Sequence, residues 1–206
     1  MQILLFYLFA INVAGGLFGP LYAVFVVKSI IGASLSTVGF ALGLAALAKS
    51  IVQIPLARFL DKHLGEKDDF YALIIGAVIS VAYPFLLIIV SKISHLYLLE
   101  TMEGVGAAFL MAAYYSLFAR HVDKNSEGFE WSLFSVGGLT ISSAIGGALG
   151  GVLADTFGFT LLFLISGIIN LIILFVLFAL YPLLDGARSV ALPPFAPLPK
   201  NPAAKS

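Results

Sequence analysis

From Phe70 to Val90, and again from Phe159 to Pro182, the chain runs without one charged side chain. Stretches this long and apolar cross a bilayer as helices. A span takes about 20 mostly apolar residues, and with no water at that depth its backbone N–H and C=O groups have to pair within the segment. Six such stretches can be read, at about 3–27, 35–58, 70–90, 94–118, 130–153 and 159–182. They are too long and too evenly apolar for the alternating strands of a barrel. The predicted class is an all-α integral membrane bundle of six helices over residues 1–182, followed by a Pro-rich cytoplasmic tail, 183–206. Composition agrees: only 11% of residues are charged, against roughly 25% in soluble domains.

Met1 and Gln2 lead straight into the first stretch with no basic leader segment, so the first helix is expected to stay as an anchor. Balanced charge argues against nucleic acid as a partner. The lack of cysteine excludes disulfides, thiolate metal sites and cysteine nucleophiles. His63, His95 and His121 lie far apart near predicted loops, so neither metal nor cofactor is expected. Basic residues set the orientation. With the N-terminus inside, the inner segments hold Arg58, Lys62, Lys67, Arg120, Lys124, Arg188, Lys200 and Lys205, and the outer ones only Lys28 and Lys92. Both termini are therefore expected to be cytoplasmic, in a bacterial or archaeal plasma membrane.

The fourth stretch departs from this pattern, because Glu100 and Glu103 lie inside it. Intramembrane carboxylates are costly, rare and usually functional. Their spacing puts both on one helical face, continued by Ala107, Met111 and Tyr114, and Gly104 and Gly106 let a neighbouring backbone come close. In the second stretch Lys49 falls about 21 Å from Leu35 at ~1.5 Å per residue, with Gln53 on its face. Snorkelling from there is long, so a pairing of Lys49 with Glu103 or Glu100 is expected. Asn12 precedes the helix-interrupting Gly15, Gly16 and Gly19-Pro20 of the first stretch. Lys49, Glu100, Glu103, Gln53, Asn12 and Tyr114 are the candidate residues of a polar cavity. Burial disfavours the charged form of acid and lysine alike, which makes proton exchange an available step.

Small residues mark packing faces: Gly39 and Gly43 in the second stretch, and Gly138, Ser142, Gly146 and Gly150 in the fifth. The third stretch, with Pro84 and no charge, reads as peripheral and lipid-facing. Trp131 reads as an interfacial anchor. The segment Pro55 to Asp69 carries the densest charge and reads as an inner loop, in which Asp61, Lys62, Lys67 and Arg58 are candidate gating residues. Leu60-Asp61 followed by Gly65 is echoed by Ala154-Asp155 followed by Gly158, each closing the second helix of a three-helix set. An odd number of spans per set inverts the copies, so two inverted repeats at about 1–92 and 93–182 are expected, an arrangement typical of carriers.

Taken together these residues resemble one six-helix half of a major facilitator superfamily transporter. The family's Gly-x-x-x-Asp-(Arg/Lys)-x-Gly-(Arg/Lys)-(Arg/Lys) loop is met by Asp61, Lys62, Gly65 and Lys67, with Ala57 at the leading glycine, Leu64 as an extra residue and Glu66 at a basic position. Its fourth-helix Arg-x-x-Gln-Gly-x-Gly appears as Glu100-x-x-Glu103-Gly104-x-Gly106, with an acid where the arginine stands, so that arginine's proton-relay role is not carried over. Its fifth-helix Gly-Pro-x-x-Gly-Gly appears as Gly146-Gly147-x-x-Gly150-Gly151, continued by Asp155, Gly158, Phe159 and Phe163. The resemblance implies a small-solute carrier in the lipid bilayer with alternating access, built here as a parallel homodimer and coupled to protons. The alternative is a scaffold or assembly protein of the same fold that transports nothing. Enzyme readings fail: Asp185-Gly186-Ala187-Arg188 lacks the paired aspartates of a phosphatidyltransferase, and no phosphate-binding glycine loop with lysine occurs.

Overall fold

The computed structural model describes residues 2–62, 66–179 and 181–183, and every regular element among them is helical. His63, Leu64 and Gly65 of the family loop, and Arg188, Lys200 and Lys205 of the tail, lie outside the described residues. Helix α1 (Gln2–Phe18) tightens into a 3-10 turn at Gly19–Leu21, where Pro20 offers no N–H, and resumes as α2 (Tyr22–Ser29). Then follow α3 (Leu35–Lys62), α4 (Glu66–Ile89), α5 (Ile93–His121), the short α6 (Glu127–Ser132), a π-helical stretch at Leu133–Ile141, α7 (Ser142–Phe178) and a 3-10 turn at Tyr181–Leu183. Pro55 and Pro84 sit inside α3 and α4 without ending them.

Five helical stretches are long and apolar enough to cross a membrane: Gln2–Ser29, Leu35–Lys62, Glu66–Ile89, Ile93–His121 and Glu127–Phe178. The last is broken at Gly158, whose φ of 79° and ψ of 176° only glycine adopts readily. Contacts with α1 reveal a reversal there. Before the break, Gly138, Gly146 and Gly150 meet Leu8, Val13 and Leu17 in rising order. Beyond it, Phe163 packs on Phe18 and Phe25, and Ser166 Oγ donates to the Ala14 carbonyl, in falling order.

Side chains bury in two apolar clusters stacked along the bundle. One gathers Leu4, Leu8, Leu73, Tyr114, Phe118 and Leu177; the other gathers Tyr22, Phe25, Tyr83, Leu96, Leu99 and Phe163. Near the level where the clusters meet, four of the helices carry polar residues: Asn12 on α1, Ser80 on α4, Glu100 and Glu103 on α5, Ser166 and Asn170 on α7. They lie among apolar neighbours such as Ala14, Leu17 and Ala108.

Two expectations change. The third stretch, α4, is not peripheral: Gly76 lies against the α5 backbone at Gly106 and Leu110, and Phe85 reaches Gly167 of α7. Lack of charge signals an apolar surrounding but does not tell lipid from protein. The least buried long helix is α3, whose outer face exposes Leu35, Phe40, Leu47, Ile51 and Ile54. The charged segment from Pro55 to Asp69 is, where described, helix rather than loop, since α3 runs on to Lys62 and α4 starts at Glu66. Trp131 packs edge-on against Phe118 and Phe134.

Candidate functional site

Helix α5 supplies both acids, and the glycines beside them let its neighbours in. At Gly104 the Ala45 carbonyl of α3 comes so close that a Cβ would collide with it, and at Gly106 the Ile79 side chain of α4 fills the space. The two carboxylates that this approach encloses then part ways. Glu100 is buried, and its Oε1 accepts hydrogen bonds of 2.6 Å from Tyr22 Oη of α2 and 2.6 Å from Tyr83 Oη of α4. It is a junction where three helices meet through phenolic donors. Glu103 is half-buried as a residue, yet its Oε2 is out of reach of solvent and has no hydrogen-bond partner.

Two adjoining cavities open at these acids. The smaller, ≈ 150 Å³, is walled by Asn12, Phe18, Ser80, Tyr83, Glu103 and Asn170 among others. The larger, ≈ 410 Å³, lies towards α3 and takes in Tyr22, Val38, Ala45, Glu100 and again Glu103. Phe18, Tyr83 and Glu103 belong to both walls. Asn12 Nδ2 donates to the Leu8 carbonyl at 2.9 Å. Asn170 Nδ2 donates to the Ser80 carbonyl at 3.0 Å and leaves its buried Oδ1 without a partner.

Of the residues expected in the cavity, Glu100, Glu103 and Asn12 are brought together. Lys49 and Gln53 are half-buried on α3 and line neither cavity. No N···O distance of 4.0 Å or less joins Lys49 to either acid. The expected Lys49 pairing is therefore not a contact here, because the close approach at Gly104 brings in the α3 backbone and not this side chain. Tyr114 leaves the site: it is fully buried in the first cluster, stacked on Phe118, with its Oη donating to the Leu4 carbonyl at 3.1 Å. Continuity of a helical face over three turns carried it past the end of the cavity. Met111, on the same face, does line the smaller cavity.

The stripe of Gly138, Ser142, Gly146 and Gly150 is a packing face, but its neighbour is α1 of the same chain. A Cβ at Gly146 would collide with the Val13 carbonyl, and one at Gly150 with that of Leu17. The Ser142 hydroxyl turns inward to the Gly138 carbonyl. Spacing reveals that some helix comes close, not which one. Gly39 and Gly43 are exposed and have nothing within 4 Å. The candidate gating residues Arg58, Asp61, Lys62 and Lys67 are exposed near the facing ends of α3 and α4. Further charged residues meet at that end. Buried Asp69 accepts from Ser116 Oγ at 3.1 Å and pairs with Arg120 Nη1 at 3.1 Å, while His121 Nε2 stands 3.7 Å from Glu66 Oε1. No cluster among the described residues could hold a metal ion.

Tyr22, Ser80, Tyr83 and Asn170 escaped sequence reading. Each is a neutral polar residue in an otherwise apolar stretch, and that interruption was the available signal.

A sequence model of the Major Facilitator Superfamily matches residues 4–205. The chain belongs to this superfamily. No curated protein matches it. Superfamily members are transporters and not enzymes. The protein is thus an integral membrane member of a transporter superfamily.

Proposed function

We propose that this superfamily member is a secondary-active carrier that moves a small solute by alternating access, with Glu103 as the group that exchanges protons and Glu100 as the fixed junction beside it. One observation carries this reading: the Glu103 side chain lines both cavities, and its buried Oε2 has no hydrogen-bond partner. A carboxylate kept bare in an apolar bundle is expensive unless a solute or a proton visits it. Flux in proteoliposomes tests the assignment. Glu103→Gln is expected to abolish pH-driven uptake while solute-exchange rates change less; uptake that still follows the pH gradient removes the acid from the mechanism.

Counting the two arms of α7 separately gives six crossings, and their packing supports an inverted repeat of three. The first span against the fifth (α1 on α7 before Gly158) corresponds to the fourth against the second (α5 on α3), each at a glycine that admits a carbonyl. Asp61 and Asp155 end the second members of the two sets. The excess of Lys and Arg on one set of ends supports cytoplasmic termini. Superfamily carriers set two such halves about an axis along the membrane normal. A second copy of the chain supplies the other half in this proposal, in a parallel twofold dimer. Since Gly146 and Gly150 are covered by α1, the docking faces are Gly39 and Gly43 of α3 against the exposed Ile145, Leu149 and Val152 of the partner's α7. Exposed Asp61, Arg58, Lys62 and Lys67 would then latch the cytoplasmic mouth in one state.

A further inference from the structure

The hydrogen-bonding groups around the two cavities are unequally used. The phenolic donors are spent, as Tyr22 and Tyr83 both point at Glu100 Oε1. Each amide uses one of its two N–H donors, Asn12 on the Leu8 carbonyl and Asn170 on the Ser80 carbonyl. Two buried acceptors remain bare, Glu103 Oε2 and Asn170 Oδ1, and the asparagine is only 7% exposed. No positively charged side chain lines either cavity, whereas two carboxylates do. The remaining walls are apolar and aromatic, with Phe18 and Tyr83 5.9 Å apart between ring centroids and common to both spaces.

We infer that the solute is a small organic cation: a protonated amine on an apolar body. This rests on the carrier reading and names the class of its substrate. The ammonium donates to the side chains of Glu103 and Asn170, which both line the smaller cavity, and its charge meets the carboxylate. The body packs on the faces of Phe18 and Tyr83, whose quadrupoles favour a cation. An anion would face two carboxylates with no positively charged side chain on either wall. The ≈ 150 Å³ of the inner cavity sets the scale of the body.

Equilibrium binding to the full chain in lipid nanodiscs tests this by calorimetry with three probes of one shape: 2-phenylethylammonium, neutral 2-phenylethanol and anionic phenylacetate. The ammonium is expected to bind at least tenfold more tightly than the alcohol, with no binding of the anion. Glu103→Gln and Asn170→Leu are each expected to weaken the ammonium tenfold or more and leave the alcohol within threefold. The wild-type comparison decides the class even where a variant fails to fold. Equal affinity for ammonium and alcohol, preference for the anion, binding of sodium alone, or no binding of any probe at millimolar concentration overturns the inference. Binding needs no flux, so a protein that binds the ammonium without moving it refutes the carrier reading alone. Flux of an anion or sugar with no ammonium binding refutes the substrate class alone.

Discussion

Glu100 and Glu103 stand one helical turn apart and have different neighbours, and that difference governs what each substitution does. Tyr83→Phe removes one of two donors to a buried oxygen without creating a cavity, so it is expected to cost about 1–2 kcal/mol. Thermal unfolding in detergent would register this as a drop of a few degrees, and an unchanged midpoint would mean that Tyr22 alone satisfies Glu100. At the far end of the same helix, Arg120 is 29% exposed and Asp69 fully buried, so their ion pair is lopsided. Losing the arginine strands a buried carboxylate, which costs about 3–5 kcal/mol in comparable buried pairs. Arg120→Ala is therefore expected to destabilise far more than Glu66→Gln, measured by chemical unfolding. Glu100 and Glu103 were legible from sequence as the only acids within an apolar stretch, whereas Asp69 was concealed among charged neighbours. Burial of one acid in a charged segment depends on which helix end covers it, and the local pattern carries no trace of that.

Among the helices, glycine content decides how closely pairs approach. At Gly150 a Cβ would strike the Leu17 carbonyl and at Gly104 that of Ala45, and a main chain within a helix cannot yield as a side-chain tip can. Gly150→Ala and Gly104→Ala are expected to cost about 1–3 kcal/mol each through overpacking. Gly43→Ala and Gly151→Ala, with nothing within 4 Å, are expected to be neutral or slightly stabilising in the isolated protein. Circular-dichroism melts of the four variants check the contrast, and equal shifts would contradict the pairing of α1 with α7 and of α3 with α5. Spacing had marked all of these positions alike. What separated them was the neighbour: α1 covers one stripe, and none of the described residues covers the other.

For the whole molecule the open question of assembly falls on α3, whose exposed apolar face carries Gly39 and Gly43. Cysteines at Gly43 and Leu149 are expected to crosslink between copies under mild oxidation in membranes, whereas a cysteine at Gly146 would be shielded by α1. Active protein that stays monomeric by light scattering in nanodiscs would refute the dimer.

The sequence by itself determined that this is a membrane bundle of helices, because apolar stretches of bilayer length have few other ways to pair their backbones. It also determined that Glu100 and Glu103 lie among apolar neighbours and that glycine stripes mark close approach. Only the tertiary structure decided that Tyr22 and Tyr83 hold Glu100 while Glu103 faces a cavity, that Lys49 stays out of contact, that Tyr114 packs away from the site, and that the fifth-stretch stripe serves α1. The reason is physical. Periodicity and composition act along one helix and fix which face is apolar, small or charged, whereas a hydrogen-bond partner is set by the rotation and depth at which a second helix, tens of residues away in the chain, comes to lie against it.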